Sequence, residues 1–174
     1  PEILKAYGVI DPAERRNRLL NAQAQVWDSA PPKTPVIAAG TIASIPAARD
    51  LLKTIYNLPQ GQIIIPGLDK SLDDDAWEVI SEDHPQHFLK ALLDHLNTKR
   101  TDVRDIGNGP SQEIKHKNTL WSEVMRPAET TQSWRFLDDQ KISASAIRAV
   151  TRIDCATAQE EADVISILLR EAIE

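Results

Sequence analysis

Residues 35–69 run PVIAAGTIASIPAARDLLKTIYNLPQGQIIIPGLD, and this stretch constrains the fold more than any other. Val36 to Ala39 is a short all-apolar run, and Ile63-Ile64-Ile65 is a β-branched one stopped by Pro66-Gly67. Such runs suit strands covered on both faces, as in parallel sheets. Between them Ala47, Leu51, Leu52 and Ile55 recur at helical spacing behind Ser44, which can cap a helix. Strand, helix and strand in that order predict a parallel pair joined by a right-handed crossover. The loop after the first strand, Gly40-Thr41-Ile42-Ala43-Ser44, stands where a nucleotide-binding α/β protein places acidic or phosphate-cradling residues. It contains no carboxylate, no lysine and a single glycine.

Helices dominate the flanks. Asp11-Pro12-Ala13-Glu14 reads as a cap, a first-turn proline and a capping box, followed by Leu19, Leu20, Ala22, Val26 and Trp27 as an inward stripe. Ser71 can cap a short acidic helix through Trp77 and Ile80. Residues 84–96 place Phe88, Leu89, Leu92, Leu93 and Leu96 inward. The pattern fails over 97–117, where Gly107, Asn108, Gly109 and Pro110 mark a loop or linker. Helical character returns over 118–125 and, after Pro127, continues to about Leu137; Ser143 starts a further short helix. Residues 150–156 are a third strand candidate, and Thr157-Ala158-Gln159-Glu160 opens a last helix with Ala162, Ile165, Leu168, Leu169 and Ile173 inward. The expected class is α/β, helix-rich, with a short parallel sheet flanked by helices.

Charge and cysteine content narrow the function. The net charge of −6 and the lack of a dense Lys/Arg run, Lys99-Arg100 with Arg104 being the strongest cluster, speak against an autonomous nucleic-acid-binding domain. The single cysteine cannot form an internal disulfide, and no apolar run approaches the roughly 18 residues of a spanning helix. A cytoplasmic protein without membrane contact is expected. A start at Pro1 and a stop at Glu174 inside a helical pattern give the expectation of an internal segment of a longer protein.

Candidate chemistry is sparse. Asp69, Asp73, Asp74 and Asp75 crowd a strand end and a helix start. Oxygen clusters hold Mg²⁺ or Ca²⁺, but acids at a helix N-terminus also complement its dipole. His84, His87 and His95 lack the further partners a zinc site needs, and His116 has no assigned role. Cys155 in the third strand candidate reads as a small apolar side chain, and Ser44 as a cap with no general base placed near it. No catalytic serine elbow, phosphate loop or metalloprotease helix occurs. Arg126-Pro127-Ala128-Glu129-Thr130-Thr131 with Trp134-Arg135 has two readings. Trp and Arg near hydroxyls can stack a base and grip phosphate, making Arg126, Thr130, Trp134 and Arg135 the DNA-contact candidates. The plainer reading, which one Trp–Arg pair does not displace, is a helix start at Pro127 with Trp134 anchoring it in the core and Arg135 on the surface. No catalytic, nucleotide-binding or metal-ligating residue and no cofactor is assigned. The alternative is a small free-standing metal-dependent α/β enzyme using the Asp69–Asp75 cluster with His84 or His87.

Several stretches, in order along nearly the whole chain, resemble the AddB subunit of bacterial AddAB helicase–nucleases, in its alphaproteobacterial form. They are Asp11-Pro12-Ala13-Glu14-Arg15-Arg16, Pro35-Val36-Ile37-Ala38-Ala39-Gly40, Ser44-Ile45-Pro46-Ala47, Leu58-Pro59-Gln60-Gly61, Pro66-Gly67-Leu68-Asp69, His84-Pro85-Gln86-His87, Arg126 to Thr131 with Trp134-Arg135, and Glu160-Glu161-Ala162 leading to Leu169-Arg170-Glu171. The match is weakest over 97–118 and 138–150. The resemblance implies a superfamily-1 helicase-like, P-loop-type fold whose motor has decayed. An active motor would end the first strand in an Asp-Glu pair that holds Mg²⁺ and orients water, where this chain has Ala39-Gly40-Thr41. The second strand would lead to a γ-phosphate-sensing Gln, where this chain has Pro66-Gly67-Leu68-Asp69. By the same resemblance, 1–96 is the end of the first motor domain, 97–117 a linker, 118–149 a helical connector and 150–174 the start of the second motor domain. The implied role is a non-catalytic scaffold in double-strand break repair by homologous recombination. Its implied partners are an AddA-type helicase–nuclease subunit and, through the full complex, DNA. The family's nuclease domain and iron–sulfur cluster would lie outside this chain, and recognition of a short regulatory DNA sequence is attributed to such subunits.

Overall fold

A computed structural model describes residue 4 and residues 7–138, 141–148 and 150–174. Pro1 and the parts of the 1–96 and 118–149 segments at 2–3, 5–6, 139–140 and 149 lie outside the described residues. Helix α1 spans Pro12–Ser29, strand β1 Val36–Ala39, α2 Pro46–Asn57 and β2 Gly61–Ile64. Helices α3 (Asp74–Glu78), α4 (His87–Leu96), α5 (Gln112–Val124), α6 (Ala144–Ile147) and α7 (Ala158–Ile173) follow, with 3₁₀ segments at Arg100–Asp102 and Ala128–Phe136. The architecture is helix-rich around a short parallel sheet, an α/β arrangement.

The two strands pair in parallel with Val36 opposite Gly61 and Ala39 opposite Ile64. Side chains alternate across a strand, and among the described residues the main core packs on one face. Val36, Ala38 and Ile63 pack on a core of Ala43, Leu52, Ile55, Leu92 and Leu96, with Trp27 of α1 against it. Ile37 points away and is 57% exposed. The expectation of strands covered on both faces is therefore corrected, because α1, α2 and α4 all contribute to the same side. A second cluster of Leu72, Ala76, Trp77 and Leu93 shares Ile65 with the first.

Local signals set most helix starts. Asp11 Oδ1 accepts the Ala13 N–H at 2.7 Å and Pro12 opens α1 as anticipated, while Glu14 pairs with Arg18 one turn on. The inward stripe of α1 differs from expectation. Ala24 is buried and Leu20 and Trp27 half-buried, whereas Leu19, Ala22 and Val26 face outward. Ser44 does not cap α2: Ile45 holds the N-cap position, and Pro46 supplies the first turn without a side-chain bond. Ser71 does not cap α3 either, since Asp73 Oδ1 accepts the Ala76 N–H at 3.0 Å. Helix α5 begins six residues before the expected return at 118, because Ser111 caps it through the Ile114 N–H. The segment after Pro127 is 3₁₀ rather than α-helical.

The C-terminal expectations change most. No strand forms over 150–156, where Val150 and Ile153 are exposed, and the sheet of the described residues consists of β1 and β2. Thr157 does cap α7, its Oγ1 accepting from the Glu160 N–H. The stripe expected to face inward does not: Ile165, Leu168, Leu169 and Ile173 are all exposed, and α7 has no buried residue. Cys155 is free and half-buried.

Candidate functional site

The loop after β1 is folded shut. Gly40 turns with φ +75° and donates its N–H to the Ile64 carbonyl at 3.0 Å, extending the strand pairing by one bond. Thr41 Oγ1 accepts the Ala43 N–H at 3.1 Å. Ala43 adopts φ +53°, unusual for a residue with a Cβ, and is only 1% exposed within the core around Leu52 and Leu92. Left-handed backbone at a non-glycine costs about 1–3 kcal/mol and persists where the surrounding packing holds it, as the core does here. The tip of this loop is thus an apolar plug, with its side chain directed into the core.

The loop after β2 is clamped by a residue that sequence reasoning left without a role. Gln86 Nε2 donates to the Gly67 carbonyl and Gln86 Oε1 accepts the Asp69 N–H, both at 2.9 Å. One side-chain amide thereby pairs with the loop as a backbone strand would. Asp69 Oδ1 accepts the Ser71 and Leu72 N–H groups. Beside it His84 Nδ1 accepts the Gln86 N–H, which leaves Nε2–H to donate to the Met125 carbonyl at 2.8 Å. This bond ties the entry of α4 to the end of α5.

The acidic cluster is divided among structural tasks. Asp69 closes its turn, Asp73 caps α3 and meets Arg126, and Asp74 Oδ1 lies 2.7 Å from Arg100 Nη2. Arg100 also lies over the Trp77 ring at 4.7 Å, so the central cation of the strongest basic cluster is committed inward. His95 Nε2 is 3.1 Å from Asp50 Oδ1, within ion-pair distance but without hydrogen-bond alignment. His116 Nδ1 is 2.7 Å from Ser145 Oγ and joins α5 to α6. Among the described residues no group of three or more His, Cys, Asp or Glu is placed to hold a metal ion. Among them, too, no helix is long and apolar enough to cross a membrane.

The four DNA-contact candidates divide by depth. Arg126 is buried: Nε lies 2.8 Å from Glu123 Oε2, and Nη2 lies 2.9 Å from Glu123 Oε1 and 2.6 Å from Asp73 Oδ2. Thr130 is buried too, its hydroxyl donating to the Pro127 carbonyl. Trp134 is 46% exposed and donates Nε1–H to the Glu123 carbonyl, while Arg135 is exposed. Trp134 and Arg135 therefore remain at the surface, whereas Arg126 is the centre of an ion-pair node completed by Lys141 at 2.8 Å from Glu123.

The node sets an acid limb for stability. Hydrogen bonds from Arg126 hold both Asp73 and Glu123 below their ordinary values of 3.8 and 4.5, against the opposing effect of burial. Both carboxylates thus lose their protons more readily folded than unfolded. Their contribution is complete above about pH 5 and is lost as the pH falls through the ordinary carboxylate range and below. A melting temperature that is level from pH 7 to about 5 and then drops is expected, with a shallower acid limb in Glu123→Gln. Identical acid limbs in both proteins would remove Glu123 from this role.

Compared with family models, curated proteins and solved structures, the chain has no significant match.

Proposed function

We propose that this chain is a non-catalytic, helicase-like scaffold segment of an AddB-type subunit in a DNA break-repair helicase–nuclease. On this reading the parallel β1–α2–β2 unit is the remnant of a P-loop-type motor core, and its role is to hold an AddA-type partner and guide a DNA strand. The observation that carries the reading is the loop after β1. A working motor needs two acids there to grip Mg²⁺ and orient water. This loop offers Ala39, Gly40 and Thr41, and Ala43 is turned into the core. Exposed Ile37 on the sheet and the exposed stripe of α7 accord with a segment that works within a larger assembly.

Two measurements test the proposal. Purified protein with Mg-ATP should show no turnover above background. Turnover that disappears in Thr41→Ala would overturn the non-catalytic assignment. The chain should also be retained by an immobilised AddA-type subunit at near-physiological salt. Failure of that capture, with the partner shown to be folded, would remove the scaffold role.

A further inference from the structure

Between the clamped Gly67–Ser71 loop and α5 lies a cavity of about 340 Å³. That is the lower end of the ~300–1,000 Å³ typical of small-ligand sites. One wall is a single face of α5, with Lys115, Asn118, Trp121 and Ser122 at helical spacing and Met125 at its C-cap. The facing wall is held rigid by the Gln86 bonds to Gly67 and Asp69 and by the His84 bond to the Met125 carbonyl.

Three features of this cavity are not explained by folding. Trp121 and Met125 are 51% and 50% exposed, a costly placement for an indole and a thioether on an otherwise amphipathic helix. Ser122 is only 4% exposed, yet its Oγ has no hydrogen-bond partner among the described residues. A buried helical serine ordinarily donates to the carbonyl one turn back, and leaving it unpaired costs about 1–3 kcal/mol. Lys115 is exposed at the rim and forms no ion pair among the described residues, whereas the neighbouring Lys70 is held by Asp105 at 3.0 Å.

We infer that this cavity binds a single nucleotide unit: a base against Trp121 and Met125, its polar edge to Ser122 and Asn118, its phosphate toward Lys115. The chemistry selects this class. A flat apolar platform with hydrogen-bonding groups at its side suits a heteroaromatic ring, and a rim cation with no ion pair among the described residues suits one phosphate rather than three. The unit can come from a DNA strand or from a free mononucleotide. The strand version rests on the function proposed above; the site itself does not.

The full chain at low salt would be irradiated with a short oligothymidylate carrying one 5-iododeoxyuridine, and the crosslinks mapped by mass spectrometry. Crosslinks at Trp121 or Met125 are expected. Trp121→Ala should weaken binding about tenfold, as expected for loss of one stacked base. Ser122→Ala should weaken it severalfold while leaving the melting temperature equal or higher, since it removes an unpartnered buried hydroxyl. Lys115→Ala, at an exposed position with no ion pair among the described residues, gives a second variant that keeps the fold and should flatten the salt dependence. Binding of dTMP with no oligonucleotide crosslink, again lost in Trp121→Ala, supports the site and overturns its strand version. Crosslinks elsewhere with all three variants unchanged, or no binding of either probe, overturn the site; the scaffold role is judged separately by the partner capture.

Discussion

Arg126→Met should destabilise the protein by about 3 kcal/mol, read as a shift in denaturation midpoint with little change in slope. The guanidinium is 1% exposed and Glu123 5% exposed, so removal of the cation strands a carboxylate that the fold has already taken from water. Removing one member of a buried pair costs about 3–5 kcal/mol, mostly as the penalty on the charge left behind. Lys141 still lies 2.8 Å from Glu123, which holds the expected loss to the lower end. The contact with half-exposed Asp73 adds little, because solvent screens it. The double variant Arg126→Met/Glu123→Leu should recover much of the loss, since no charge is then left buried. A single variant as stable as the parent protein would show that Glu123 is not confined as described.

The same node shows where sequence reading reaches its limit. Asp11 with Pro12, Thr157 before Glu160, and the stripe of α4 were legible because each acts within one or two helical turns, although of that stripe Leu89, Leu92, Leu93 and Leu96 are buried and Phe88 is exposed. Arg126 meets Asp73 across 53 positions, and a motif rich in Arg, Thr and Trp reads either as a surface that contacts DNA or as a helix start anchored by Trp134, neither of which names Asp73. Only the fold places Arg126 and Thr130 inside and leaves Trp134 and Arg135 near solvent. The face of α1 failed for a related reason. Leu19 and Leu20 both fit an inward stripe, and packing against α2 selects Leu20, Ala24 and Trp27. Two capping serines were misplaced because Pro46 sets one helix start and Asp73 outcompetes Ser71 at the other. A legible trace of the α5 cavity did exist: Lys115, Asn118, Trp121, Ser122 and Met125 mix apolar and polar groups on one helical face. The part of that helix before 118 falls in a stretch whose Gly-Asn-Gly-Pro signals a linker, which hides the register.

Gly61→Ala is expected to cost about 3 kcal/mol or more, at the upper end of overpacking effects. Glycine is required here for space rather than for a left-handed backbone. A Cβ at Gly61 would sit 1.7 Å from the Ile55 carbonyl oxygen and 2.8 Å from its carbon. That carbonyl cannot swing aside cheaply. It accepts the Leu58 N–H at 3.1 Å to close the end of α2, and Ile55 itself is in the core. The Leu58 carbonyl in turn accepts the Gly61 N–H, and Gly61 is paired with Val36 across the sheet. A methyl group therefore either opens the last turn of α2 or pushes β2 out of register with β1. Gly67→Ala provides the contrast. Its Cβ would meet nothing within 4 Å, so only the φ of +64° is penalised, at about 1–2 kcal/mol. Thermal denaturation of the two variants should rank Gly61→Ala well below Gly67→Ala. The reverse order would mean that the α2–β2 turn is wider than described, and with it the register that closes the loop after β1 would be wrong.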